Sequence, residues 1–245
     1  MSSASEDREF DDRTTKARIR DAAIDCFAEY GVAGTTARKV ASAAGVSPGL
    51  VIHHFGSMEG LRSACDEHVA AIIRQQKQEA MSAGPGFDVL AALRESGIGS
   101  LAGYLARVLV EESPPVAKLV DDLVDDAEVY LQQGVESGML RPTANPRGLA
   151  AVLTVWSLGA LVLHSHLERI LGVDLTDPTV GSDPDIASYV GPVYEILSDG
   201  VFTESFGAHF RATFAGAVGG DEQKGSSTSP HEPKDPSKAA RKGTS

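Results

Sequence analysis

The stretch "AAGVSPGLVIHHFG", residues 43–56, decides the fold. Gly45 is placed to end one helix in the left-handed conformation. Two residues later Ser47 can cap the next helix with its side-chain oxygen, and Pro48 at the first helical position loses no hydrogen bond. Two short helices joined by so tight a turn make a helix-turn-helix. The helices can approach closely only where contact residues are small, which Ala41 and Ala44 supply. Val46 is expected to bury in the turn, with Val40, Leu50, Val51 and Phe55 completing a small core against a preceding helix.

That preceding helix is legible from Thr14 to Tyr30, where Ile19, Ala22, Ala23, Cys26, Phe27 and Tyr30 form an apolar stripe ended by Gly31. A second helix starts at Thr35-Thr36 and runs to Ala44. After "GSM", a long amphipathic helix covers 58–82 with Leu61, Cys65, His68, Val69, Ile72 and Ile73 at helical spacing. Beyond the "SAGPG" break, helical patterns are predicted at 88–95, 101–112, 115–138, 146–171 and from 185 into the 200s. Pro192 lies in the early turns of the last, and a shorter helix covers 204–217. No stretch alternates apolar and polar residues long enough for a sheet, so the fold is all-α. Residues 1–12 and 219–245 are polar and nearly free of apolar anchors, and are expected to be disordered. The domains are then 13–73, with the motif at about 35–54, and 74–218.

The 245 residues carry a net charge of -12, unevenly placed. Residues 13–62 hold seven basic against four acidic side chains, whereas 81–218 hold seven against eighteen. A positive segment on a negative body suits one surface meeting a polyanion. The two cysteines, Cys26 and Cys65, provide no disulfide framework and point to a reducing compartment. No apolar run is long enough for a membrane span, and the first residues lack the apolar core of a signal peptide. The expected location is cytoplasmic.

The slim helix start at Ser47-Pro48-Gly49 can enter the DNA major groove, and free N–H groups at helix starts suit phosphate. The wider stretch "GVAGTTARKVASAAGVSPGLVIHHFGSMEGL", with the amphipathic helix before it, resembles the N-terminal domain of the TetR family of transcriptional regulators. The resemblance covers about 13–73; residues 81–218 are similar to the family only in helical architecture. It implies that Thr36, Ile52, His53 and His54 lie along the phosphate backbone, and that Pro48, Gly49 and Leu50 meet base edges. Arg38 would reach a guanine, the base its forked guanidinium reads best. Lys39, Ser47 and Met58 complete the expected DNA-facing set. The family commonly has tyrosine at the place of Ile52 and lysine at that of Met58, both phosphate contacts.

The remaining motifs favour plain readings. His53 and His54 diverge by about 100° on a helix and cannot share a metal, and His164 and His166 fail the same test. In "LVDDLVDDAEVYL" the acids Asp121, Asp122, Asp125, Asp126 and Glu128 lie opposite Leu119, Leu123, Val124 and Leu131, as a solvated face. No catalytic order, phosphate loop or metal signature is present, so no catalytic residue, metal or cofactor is assigned. The apolar helices at 146–171 and 185–202 are expected to pair with those of a second copy. A mainly apolar effector is expected among Ile72, Tyr104, Val108, Val120 and Trp156. The resulting reading is a homodimeric repressor released from a near-palindromic operator by a small molecule. Two alternatives are a binding protein with weakened DNA contacts, and a helical enzyme using the His164/His166 region.

Overall fold

The computed structural model describes residues 3–87, 98–201 and 203–208. The described segments are helical, with no strand among them: α1 (Ser3–Gly34), α2 (Ala37–Ala44), α3 (Pro48–Phe55), α4 (Met58–Ala83), α5 (Ile98–Val108), α6 (Pro114–Glu136), α7 (Pro146–Val162), α8 (His164–Leu171) and α9 (Ala187–Ser198). The patterns at 88–95 and 209–217 and the tail at 219–245 lie outside the described residues. The chain divides into two compact units, Met1–Val193 and Tyr194–Ser245.

One correction falls at the N-terminus. Residues 3–12, expected to be disordered, form the first turns of α1. Residues 3–30 contain neither proline nor glycine, and extending a nucleated helix costs far less than starting one. The helix breaks where the sequence predicts, at Gly31, whose φ of 71° and ψ of 175° leave the helical region. Thr35 seals this end: its hydroxyl donates to the carbonyls of Gly31 (2.7 Å) and Cys26 (3.0 Å).

The core forms around α1, which packs on α2, α4 and α5, while α4 packs on α6 and α6 on α7. Ile19, Phe27, Val40, Val51, Leu61 and Val69 from the first four helices are closed to solvent, together with Tyr104 and Val108 of α5 and Leu119 and Leu123 of α6. Burying each large apolar side chain stabilises the fold by about 1.5–3 kcal/mol. Because one apolar cluster joins these helices, no packing boundary falls at residue 73; α4 runs straight through it.

The helix expected over 146–171 is two, bent by 74° at Leu163. Leu163 has φ -98° and ψ 18°, and just beyond it the His164 Nδ1 lies 3.0 Å from the Asp174 carboxylate. An apolar run does not betray such a bend, since both halves carry the same residue types. His166 is exposed and does not share the partners of His164. The C-terminal pattern is also broken: Val180–Ser182 and Pro184–Ile186 are single 3₁₀ turns, and Pro192 lies inside α9. The acids of α6 are less passive than expected. Asp126 accepts from Arg74 of α4 at 2.6 Å, Asp125 and Glu128 pair with Arg147 of α7, and Asp122 with Lys118.

Candidate nucleic-acid interface and the junction behind it

The turn between α2 and α3 is built as the sequence requires. Thr36, extended at φ -126°, accepts from the Lys39 amide and starts α2. Gly45 ends it with φ 65° and ψ 38°, and the Val46 amide donates back to Ala41 at 2.9 Å. Ser47 accepts from the Leu50 amide at 3.2 Å, with Pro48 at the start of α3. Ala41 and Ala44 are buried and Val46 is half-buried beneath them.

Of the eight residues of α3, only Val51 is buried. Ser47, Pro48, Gly49, Ile52 and His53 are exposed, while Leu50 and His54 are half-buried. The fold leaves room at Gly49, where an added Cβ would find its nearest neighbour, Ser47 Oγ, at 3.9 Å. Thr36 and Arg38 are exposed on α2, and Arg38 has no hydrogen-bond or ion-pair partner among the described residues. Lys39 differs: its Nζ donates to the Gly34 carbonyl at 2.9 Å and lies 4.0 Å from the Tyr30 ring centre. It closes the end of α1, where a cation is favoured, so its side chain is engaged within the fold.

Met58 begins α4, and its side chain is half-buried and packs on the core cluster. Its neighbour Ser57 caps α4 by accepting from the Gly60 amide at 3.1 Å.

The five residues expected around an effector differ in exposure. Tyr104 and Val108 are closed in the core, Ile72 and Val120 are partly buried, and Trp156 of α7 is 36% exposed. Helical periodicity marks which faces turn inward; it does not say which interior positions leave a void. A cavity of about 590 Å³ lies between the end of α1, the start of α4 and the start of α6. Phe27, Met58, Arg62, Asp66, Glu111 and Leu119 are among its walls.

Behind that cavity, Tyr104 donates to the Asp66 carboxylate at 2.5 Å, and the Arg62 Nη1 reaches Glu111 at 2.5 Å. Burial pushes the Asp66 carboxyl above its ordinary value, against the Tyr104 hydroxyl and the Arg62 charge, which lower it. A raised native value means the folded state holds this proton more tightly than the unfolded chain. Stability therefore falls as pH climbs from the ordinary carboxylate range through the raised one. Tyr104→Phe keeps the ring against Phe27 but removes the donor. It should cost about 1–3 kcal/mol at neutral pH and less near about pH 4, where the carboxyl holds more of its proton. Denaturant titrations at fixed protein concentration check this; an equal loss at both pH values would refute it.

No pattern in the sequence announces this network, because Asp66 and Tyr104 are 38 residues apart. The cysteines, by contrast, are as expected: both are buried, and burial pushes the Cys65 thiol up to about 12, leaving it neutral and inert.

Residues 19–65 match the model for bacterial regulatory proteins of the tetR family, and residues 98–203 the model for the tetracyclin repressor-like C-terminal domain. The chain is 35% identical over 215 residues to the HTH-type transcriptional regulatory protein RaaS of Mycobacterium tuberculosis, covering 87% of this chain and 98% of that one. It is 39% identical over 169 residues to the HTH-type transcriptional repressor AcnR of Corynebacterium glutamicum, covering 65% of this chain and 80% of the repressor. In fold it is similar to the fatty acid degradation regulator FadR from Bacillus halodurans, with a TM-score of 0.55 at 18% identity, over 76% of this chain and 99% of that one. The two-part match, the near full-length similarity to RaaS and the capped α2–α3 turn agree: this chain belongs to the TetR family of bacterial transcriptional regulators.

Proposed function

We propose that the protein is a homodimeric repressor that binds a near-palindromic operator through α2 and α3 and is released by a small-molecule effector. The observation that carries this reading is α3 itself. A helix that buries only Val51 keeps its N-terminal end open to a partner, and a slim, capped helix start suits the floor of the major groove. Pro48, Gly49 and Leu50 are the proposed base-edge contacts, with Arg38 reading a guanine. Thr36, Ser47, Ile52, His53 and His54 take the phosphate backbone. Lys39 and Met58 stand at the margin of this set, since Lys39 also bonds the Gly34 carbonyl and Met58 also packs on the core cluster.

Each chain offers one reading helix, so two chains are needed for an operator of two half-sites. The apolar face for pairing is supported on α7, where Val152 and Val155 are 65% and 60% exposed and Trp156 joins them. In the C-terminal unit Tyr194, Leu197 and Val201 are likewise exposed. Light scattering should give a dimer at micromolar concentration, and a gel shift with the DNA upstream of the protein's own gene should show one retarded band with half-sites about 34–36 Å apart. A monomer both alone and with DNA would refute the dimer. No shift of that DNA would refute its role as the operator.

A further inference from the structure

We propose that α1 carries a second contact for the DNA backbone, in which Lys16 binds a phosphate beside the reading helix. This rests on reading the chain as an operator-binding regulator. A groove of about 370 Å³ opens between α1, the end of α3 and α4. Arg13, Lys16 and Arg20 line it together with Phe55, Glu67 and His68. The three cations recur at i, i+3 and i+7, so they share one face of α1 over about 10 Å. The wall holds three fixed positive charges against the single carboxylate of Glu67, in a chain whose net charge is -12. Burial and the nearby Arg20 charge hold the His68 imidazole below its ordinary value, so it is mostly neutral at pH 7.

Lys16 is the cation available to a partner. Arg20 is bound by Asp21 at 2.7 Å. Lys16 is exposed and has no hydrogen-bond or ion-pair partner among the described residues. Its ammonium instead lies 5.6 Å from the centre of the Phe55 ring, over the last residue of α3. Contact with a ring face uses none of its three N–H donors, which stay open to phosphate oxygens. The Phe55 ring in turn meets that of His54 edge to face, at 6.4 Å. His54 is a proposed phosphate contact, so Lys16 continues the same surface from α3 on to α1.

The charge pattern sets the limits of this contact. Residues 1–12 hold five acids against one arginine, and 81–218 hold eighteen acids against seven bases. Both repel phosphate, so the basic face of α1 meets the backbone only beside α3. A bond there would hold the end of the reading helix in place on the duplex, since phosphate contacts position without specifying.

Fluorescence anisotropy of the full chain on the DNA upstream of its own gene and on an unrelated duplex, over several salt concentrations, tests the proposal. Each neutralised phosphate contributes about 0.9 to the slope of log K against log salt. With two such contacts per dimer, Lys16→Gln should flatten the slope by about 1.8 on both duplexes. Base preference should be unchanged, and Lys16→Arg should keep the native slope. Arg18→Gln is the control: it removes an equal charge from an exposed position two residues on, about 200° around α1. It should change the slope far less. An unchanged slope for Lys16→Gln, even with weaker binding, would reduce Lys16 to a support for Phe55 and overturn the proposal. Equal flattening by Arg18→Gln, or an altered base preference, would also overturn it. A native protein that binds neither duplex would instead refute the operator-binding reading itself.

Discussion

Gly60→Ala should disable the reading helix. A Cβ at residue 60 would lie 2.2 Å from the Phe55 carbonyl oxygen, far inside any real contact. The oxygen belongs to the backbone of the last turn of α3, so no side-chain rotation relieves the clash; α3 and the first turn of α4 must move apart. Overpacking of this kind costs about 1–3 kcal/mol of stability. The effect on DNA should be larger, because a base-reading helix must be held to within a fraction of an ångström, and operator affinity should fall by tenfold or more, as a rough estimate. Gly49→Ala is the contrast. With its neighbour at 3.9 Å the fold tolerates the methyl group, so stability should be unchanged while operator binding weakens, because in the proposed complex a base edge lies against that position. Thermal denaturation and fluorescence anisotropy of both variants separate the two. A Gly60→Ala protein of unaltered stability would refute the close approach.

Arg38→Ala should weaken operator binding by about 1–3 kcal/mol and relax preference at one base pair per half-site. The side chain is exposed and its fork is uncommitted among the described residues, so it is free to pair with a guanine edge. Lys39→Ala provides the reference. It removes the bond to the Gly34 carbonyl and the contact over Tyr30, and should lower stability with little change in base preference. The measurement is a competition assay over operator variants with each base pair changed in turn. A loss spread evenly over all sequences would make Arg38 a phosphate contact, because phosphate is the same at every step.

The difference between these two neighbouring cations marks the limit of a sequence reading. Arg38 and Lys39 are adjacent, basic and equally plausible as DNA contacts. Only the position of the Tyr30 ring and the open carbonyl of Gly34, at the far side of a break in α1, tells them apart. Met58 repeats the point. Its place at the start of α4 was legible, yet its packing on the core cluster depends on the helices that meet there.

What the sequence determined by itself is local. The breaks at Gly31 and Gly45 follow from positive φ, where L side chains are strained, and the caps Thr36 and Ser47 from the need to satisfy free amides. The buried stripe of α1 follows from helical periodicity. These rules act over three or four residues, and together they are enough for a helix-turn-helix. What only the tertiary structure decided acts across distance. The 74° bend at Leu163, the cavity beside Arg62 and the Asp66–Tyr104 bond arise where separate helices meet. A void or a shared proton belongs to the packing of several elements, and no single element carries the pattern that would announce it.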